Sequence, residues 1–239
     1  MYKSEALVRA CKYALLPNKL GYCGASDFSK SYLSFIENPV QEEATKIEAT
    51  LKSFRAMYSY LKLIASHNDS EPFSKDVVEA YWLGNSLLEN VPVEAVKDMI
   101  KRDFIEIPAE QREKKATFLK SNVLVQHSFH VLYVNFLNPK VKPVCKNMDM
   151  CIVKYGKVID FSEKKVKTKS ISLKYALGEI KVIEKVLLLG NPFNYCLKKG
   201  ALVSIHWGSI IEPIDEERSK WIKKAVLKNV ALANSYSDV

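Results

Sequence analysis

Met150-Cys151-Ile152 opens, and Gly200-Ala201-Leu202-Val203-Ser204-Ile205-His206-Trp207-Gly208 closes, the stretch whose reading decides the fold. Residues 151–153 and 157–161 straddle Tyr155-Gly156 like a hairpin. Residues 166–174, 179–189 and 201–211 supply further strands, with turns at Gly178, Gly190-Asn191-Pro192 and Gly200. Asp215 is placed to cap a closing helix whose Trp221, Ile222, Ala225, Val226 and Val230 form one apolar stripe. The expectation is a small OB-like β-barrel with a C-terminal helix over residues 147–239.

Upstream the pattern is helical. Leu7, Ala10, Cys11, Ala14 and Leu15 have helical spacing over residues 3–16, and Pro17-Asn18 is expected to end that helix. A second helix is expected from Ser26 or Asp27 to Glu37. One long helix should follow Pro39, with Ile47, Leu51, Phe54, Met57 or Tyr58, and Leu61 on one face. Ser74 reads as the N-cap of a helix over 75–89, and Pro92 as the first residue of another ending at Phe104. Residues 122–137, rich in Val, Phe and Tyr, favour a strand by composition. Asn138 to Pro143 reads as a linker. The fold class is therefore α+β: an all-α N-terminal domain over 1–140, then the barrel.

Composition bounds the function. The chain has 239 residues, 48% of them hydrophobic and 26% charged, as in an ordinary globular protein. No apolar run approaches the roughly 18 residues of a membrane span. The N-terminus lacks a signal-peptide core, so the expected location is cytoplasmic. Five cysteines without a Cys-x-x-Cys pair argue for free thiols. Residues 140–239 hold 19 Lys/Arg against 10 Asp/Glu, which accounts for the whole net charge of +9. That excess is either a solvated surface or a face for nucleic acid or an acidic protein. Arginines are few there, and no aromatic-interleaved basic motif of an RNA-binding strand is present. Phosphate-binding loops, dinucleotide fingerprints, nucleophile elbows and His-Glu-x-x-His are all missing.

Cys151 and His206 lie on separate β-rich segments that a barrel could bring together. A thiolate and an imidazole then make a soft site suited to iron, copper or zinc. Two ligands are too few for a closed structural zinc site. A second group of candidates lies upstream. Cys23, between Gly21 and Gly24, precedes an expected helix whose N-terminus would lower its pKa and make it reactive or metal-binding. His127 and His130, three apart, would share a face on a helix and oppose each other on a strand. Either histidine could serve Cys23 as base, with Glu79 as a carboxylate ligand or base. His67 sits in a polar loop.

Over roughly residues 149–234 the C-terminal unit resembles the HypC/HupF family of [NiFe]-hydrogenase maturation chaperones. The resemblance rests on Met150-Cys151-Ile152, Gly156, Gly200 through Val203, His206, Gly208, Ile210-Ile211, Ile214 and Asp215-Glu216-Glu217. It departs from the family in that Cys151 is internal and is followed by Val153-Lys154-Tyr155 without a proline. The resemblance implies a non-catalytic protein whose cysteine, with the histidine nearby, carries an iron fragment bearing cyanide and carbon monoxide. It implies docking on a maturation scaffold protein and on the hydrogenase large subunit. The whole chain also resembles a prokaryotic family of unassigned function through Gly21-Tyr22-Cys23-Gly24, residues 78–85, His127-Ser128-Phe129-His130 and His206-Trp207. Three functions follow as expectations: a metallocentre assembly protein, a Cys23–histidine enzyme, and a nucleic-acid-binding barrel using the lysines of residues 154–199.

Overall fold

Local chemistry sets where the helices start and stop. The computed structural model describes residues 2–121, 123–138, 141–162 and 165–237. Asn122 of the expected strand, and Pro139 and Lys140 of the expected linker, lie outside them. The chain forms two compact units, one of Met1–Gln126 with Phe136–Val141, the other of His127–Asn135 with Lys142–Val239. The class is α+β: a helical part, then a closed five-stranded barrel and a C-terminal helix.

In the first unit, α1 (Tyr2–Lys19) runs through Pro17 rather than ending there. A proline so near the C-terminus forfeits one backbone donor and leaves the last turn in place. α2 (Ser29–Glu37) starts later than the sequence suggests, because the Asp27 carboxylate already accepts the Ser29 N–H at 2.9 Å. The long helix expected after Pro39 is two, α3 (Gln41–Lys52) and α4 (Arg55–Ser66). The break falls where the Ser53 hydroxyl donates to the Thr50 carbonyl at 2.6 Å and the backbone tightens to Phe54 N–H on Leu51. Serine competing for helix carbonyls bends or ends a helix in this way.

α5 (Lys75–Trp82) has the expected Ser74 cap, whose hydroxyl accepts from Val77 N–H. It stops short of Glu89 because Gly84, at φ +89°, turns the chain and donates back to Glu79. α6 (Val93–Asp103) follows Pro92 as its N-cap, and α7 (Ala109–Phe118) is an addition to the elements expected from sequence. Aromatic rings pack in the core beside Leu7, Leu51, Leu61 and Ile64. Tyr13 stacks on Trp82 at 4.7 Å, and Tyr60 contacts Tyr81 at 5.5 Å and Phe104 at 5.7 Å.

The second unit opens with a helical turn, α8 (His127–Phe129), that widens into a π turn over His130–Val134. The strand expected over 122–137 is thus helical in its His127–Val134 part. Buried helices and buried strands share the same apolar, β-branched composition, so composition alone misleads there. α9 (Cys145–Cys151) also replaces an expected strand start. The barrel comprises β1 (Lys154–Ser162), β2 (Lys165–Ala176), β3 (Glu179–Gly190), β4 (Leu202–His206) and β5 (Ser209–Ile214), in the order β1-β2-β3-β5-β4. That closure, with β4 returning to β1 and a parallel β3–β5 contact at Gly190 and Ser209, is OB-like.

β1 runs straight through Tyr155-Gly156, so those residues are not a hairpin turn. Gly156 faces the Ser170 hydroxyl so closely that a Cβ there would lie 2.2 Å from it. The strand expected over 201–211 is two, folded at Trp207 (φ +48°) and Gly208 (φ +72°) into a two-residue hairpin turn. Val158, Val166, Leu189, Val203, Ile205 and Ile210 fill the interior. α10 (Glu216–Ser237) starts where the Asp215 carboxylate accepts Arg218 N–H at 2.8 Å, and it buries Ile222, Ala225, Val226 and Val230.

Candidate metal centre

The three residues of this site reach it from three separate elements of the second unit. Cys151 is the last residue of α9. His206 ends β4, immediately before the Trp207-Gly208 turn. His127 opens the helical turn that α10 holds by a buried 2.9 Å hydrogen bond from Asn229 to the Ser128 hydroxyl. Two further bonds fix the frame. Trp207 N–H donates to the Met150 carbonyl at 2.9 Å, and Asp149 accepts from Lys154 at 2.9 Å and from Leu173 N–H at 2.7 Å.

Cys151, His127 and His206 are 4%, 7% and 1% exposed. Each offers one ligand atom, and these atoms all lie within 4.8 Å of one another. Cys151 Sγ is 3.7 Å from His127 Nε2, and the two imidazole rings meet edge to face at 5.4 Å. Bonds of about 2.3 Å to sulfur and 2.0 Å to nitrogen, opened to a tetrahedral angle, put those two atoms about 3.5 Å apart. The Cys151–His127 pair is thus already near the spacing of two ligands on one metal, with the His206 ligand atom within 4.8 Å of both. Burial first, then the neighbouring His206 and His130, hold the His127 pKa well below the ordinary imidazole value. Its ring is neutral at physiological pH, which is the form that binds metal.

The other candidates fall elsewhere. His130 is buried, with a pKa pushed down to about 4 by desolvation, and stands outside the three-residue cluster. Its carbonyl accepts from Asn135 N–H five residues on, the wide turn that breaks the helical register with His127. Cys23 and Glu79 belong to the first unit. The Cys23 loop is a pinned turn: the Asn18 amide donates to the carbonyls of Cys23 and Ser26, and Asn138 donates to Gly21 and Tyr22. Desolvation pushes the Cys23 thiol up to about 11, where the sequence suggested a lowered value. The correction has a plain cause, since α2 begins at Ser29 and Asp27 supplies its anion. Glu79 is ion-paired with Arg9 at 2.9 Å. His67 Nδ1 lies 3.0 Å from the Leu63 carbonyl, at the end of α4. Of the lysines between 154 and 199, Lys154 is buried against Asp149 and unavailable to any surface partner.

What the fold and site define is an α+β protein whose barrel unit carries a buried His-His-Cys cluster. The chain belongs to a family of unknown function, DUF6390, whose model matches residues 4–238. No curated protein and no solved structure matches it. The likeness to the hydrogenase-maturation chaperones rests on the residues quoted for it and on none of these comparisons. No helix among the described residues is long and apolar enough to cross a membrane.

Proposed function

We propose that this protein is a metallocentre accessory protein that holds one soft or borderline metal, or an iron fragment, through Cys151, His127 and His206. The observation that carries the reading is the convergence of three ligand atoms within 4.8 Å in a buried setting. A thiolate with two neutral imidazoles suits Fe(II), Cu(I) or Zn(II) over the hard cations that prefer oxygen. Three protein ligands leave a coordination position for a further group, as a carrier of cargo requires and a closed structural site does not. A bound metal would supply an acceptor for the Cys151 thiolate in place of its proton. The residues around the site act on the ligands: Asp149 anchors α9, and the Trp207-Gly208 turn aims His206. The likeness to HypC/HupF supports iron as the metal and hydrogenase maturation as the setting.

The test is metal analysis of protein purified without oxygen, with an infrared spectrum in the region of metal-bound cyanide and carbon monoxide. Near-stoichiometric metal in the wild type, lost in Cys151→Ala, His127→Ala and His206→Ala, supports the centre. Infrared bands that vanish in Cys151→Ala support the iron fragment. Metal-free wild type that also fails to bind added Co(II), Zn(II), Fe(II) or Cu(I) sinks the proposal.

A further inference from the structure

Among the described residues, β5 meets β3 in one ladder pair, Gly190 with Ser209. β2 pairs with all twelve residues of β3 in unbroken register, so alternate backbone groups of β3 face away from β2. Ile180 and Gly190 show which set this is. Ile180 N–H donates to the Asn234 side-chain oxygen on α10 and the Ile180 carbonyl accepts from the Asn234 amide, at 2.9 Å each, and Gly190 N–H donates to the Gly208 carbonyl. The same outward direction falls to Val182, Glu184, Val186 and Leu188. Among the described residues no backbone group pairs with these four on that edge. An unpaired strand edge of this length is a template for another strand.

The face beside that edge states what kind of strand. Val186 and Leu188 are 52% and 66% exposed. Directly opposite them on β2 stand Lys169 and Lys167, both exposed, and Lys169 in turn faces Lys157 on β1. Two lysines facing each other across adjacent strands repel, a cost that a nearby anion relieves. Lys169 also has Glu184 at 2.8 Å, a carboxylate from the edge itself. A second copy of this chain would bring the same lysines, so like charge opposes self-pairing. Nucleic acid would meet aliphatic side chains where bases need aromatic platforms.

We propose that the β3 edge over residues 182–188 docks an extended acidic segment of a partner protein, which adds a strand to the barrel. Its backbone pairs with Val182, Glu184, Val186 and Leu188, and its apolar and acidic side chains share the outer face, the apolar ones against Val186 and Leu188 and the carboxylates reaching toward Lys167 and Lys169 on β2. The proposal stands apart from the metal reading, because none of its residues is a ligand.

The test uses the full chain and a fluorescein-labelled octapeptide, Val-Ser-Glu-Ser repeated twice, whose Val and Glu side chains share one face of a strand, beside the same peptide with Lys for Glu. Binding of the Glu peptide should slow amide exchange at Val182, Glu184, Val186 and Leu188. Val186→Pro removes one edge-facing donor and no ladder bond. It should weaken binding about tenfold while the β2–β3 ladder amides stay protected. Equal binding of the Lys peptide overturns the proposal, as does protection confined to other amides. Edge amides already protected in dilute free protein overturn it too. Stronger protection of the same amides by an oligothymidine would also overturn it, in favour of nucleic acid.

Discussion

Trp207 N–H donates to the Met150 carbonyl at 2.9 Å, so the residue after His206 is tied to the residue before Cys151. One backbone bond thereby registers two of the three candidate ligands, which lie 55 positions apart in the chain. It depends on the hairpin turn that puts Trp207 and Gly208 in the left-handed region.

Gly208→Ala should test that turn. A Cβ there would lie 3.4 Å from Met150 Cε, an ordinary contact, but φ at +72° disfavours any L side chain. The expected loss is about 1 kcal/mol in urea unfolding, with weaker metal uptake than wild type. Unchanged stability and uptake would show that the turn does not aim His206.

His130 should make stability fall in mild acid. Its pKa is about 4 in the folded protein, lowered by desolvation, against 6.5 when exposed. The unfolded chain therefore binds the proton first, and stability that is full above pH 6.5 declines as the pH falls toward 4. The His130 share of that loss is about 3 kcal/mol. Urea titrations at pH 7 and pH 4.5 should show a flatter dependence in His130→Asn. An equal slope in both proteins would refute the assignment.

Asp149 and Lys154 anchor α9 to the barrel, and desolvation of Lys154 outweighs the pull of Asp149 to lower its pKa. Asp149→Ala strands a buried ammonium and an unanswered Leu173 N–H, at a cost of about 3 kcal/mol. Asp149→Ala with Lys154→Met should recover part of that loss. A double-mutant cycle with no coupling would show that the pair is not what holds α9.

Cys23 should be slow to alkylate. With a pKa of about 11 the thiolate is roughly one part in ten thousand at pH 7. Iodoacetamide followed by peptide mass mapping should mark exposed Cys196 well before Cys23. Labelling of Cys23 first would revive it as a nucleophile.

Some of this was legible from residue order alone. The Ser74 and Asp215 caps, the apolar stripe of α10, the β2 and β3 strands and the α+β division rest on local rules of capping and period. The His127–Val134 segment was not, because Val, Phe and Tyr in a fully buried helix look like a buried strand. α9 was not legible either, since Cys-Lys-Asn-Met-Asp-Met-Cys is short and carries no clear apolar period.

The sequence by itself determined that a soft thiolate-imidazole pair, Cys151 and His206, was available in the basic C-terminal half. It also named His127, though with His130 or Cys23 as its company. Only the tertiary structure decided which of these candidates meet, because the grouping depends on chain reversals rather than on spacing. The end of a short helix, the corner of a two-residue hairpin and a helical turn meet at one buried point, and no period in a sequence encodes such a meeting.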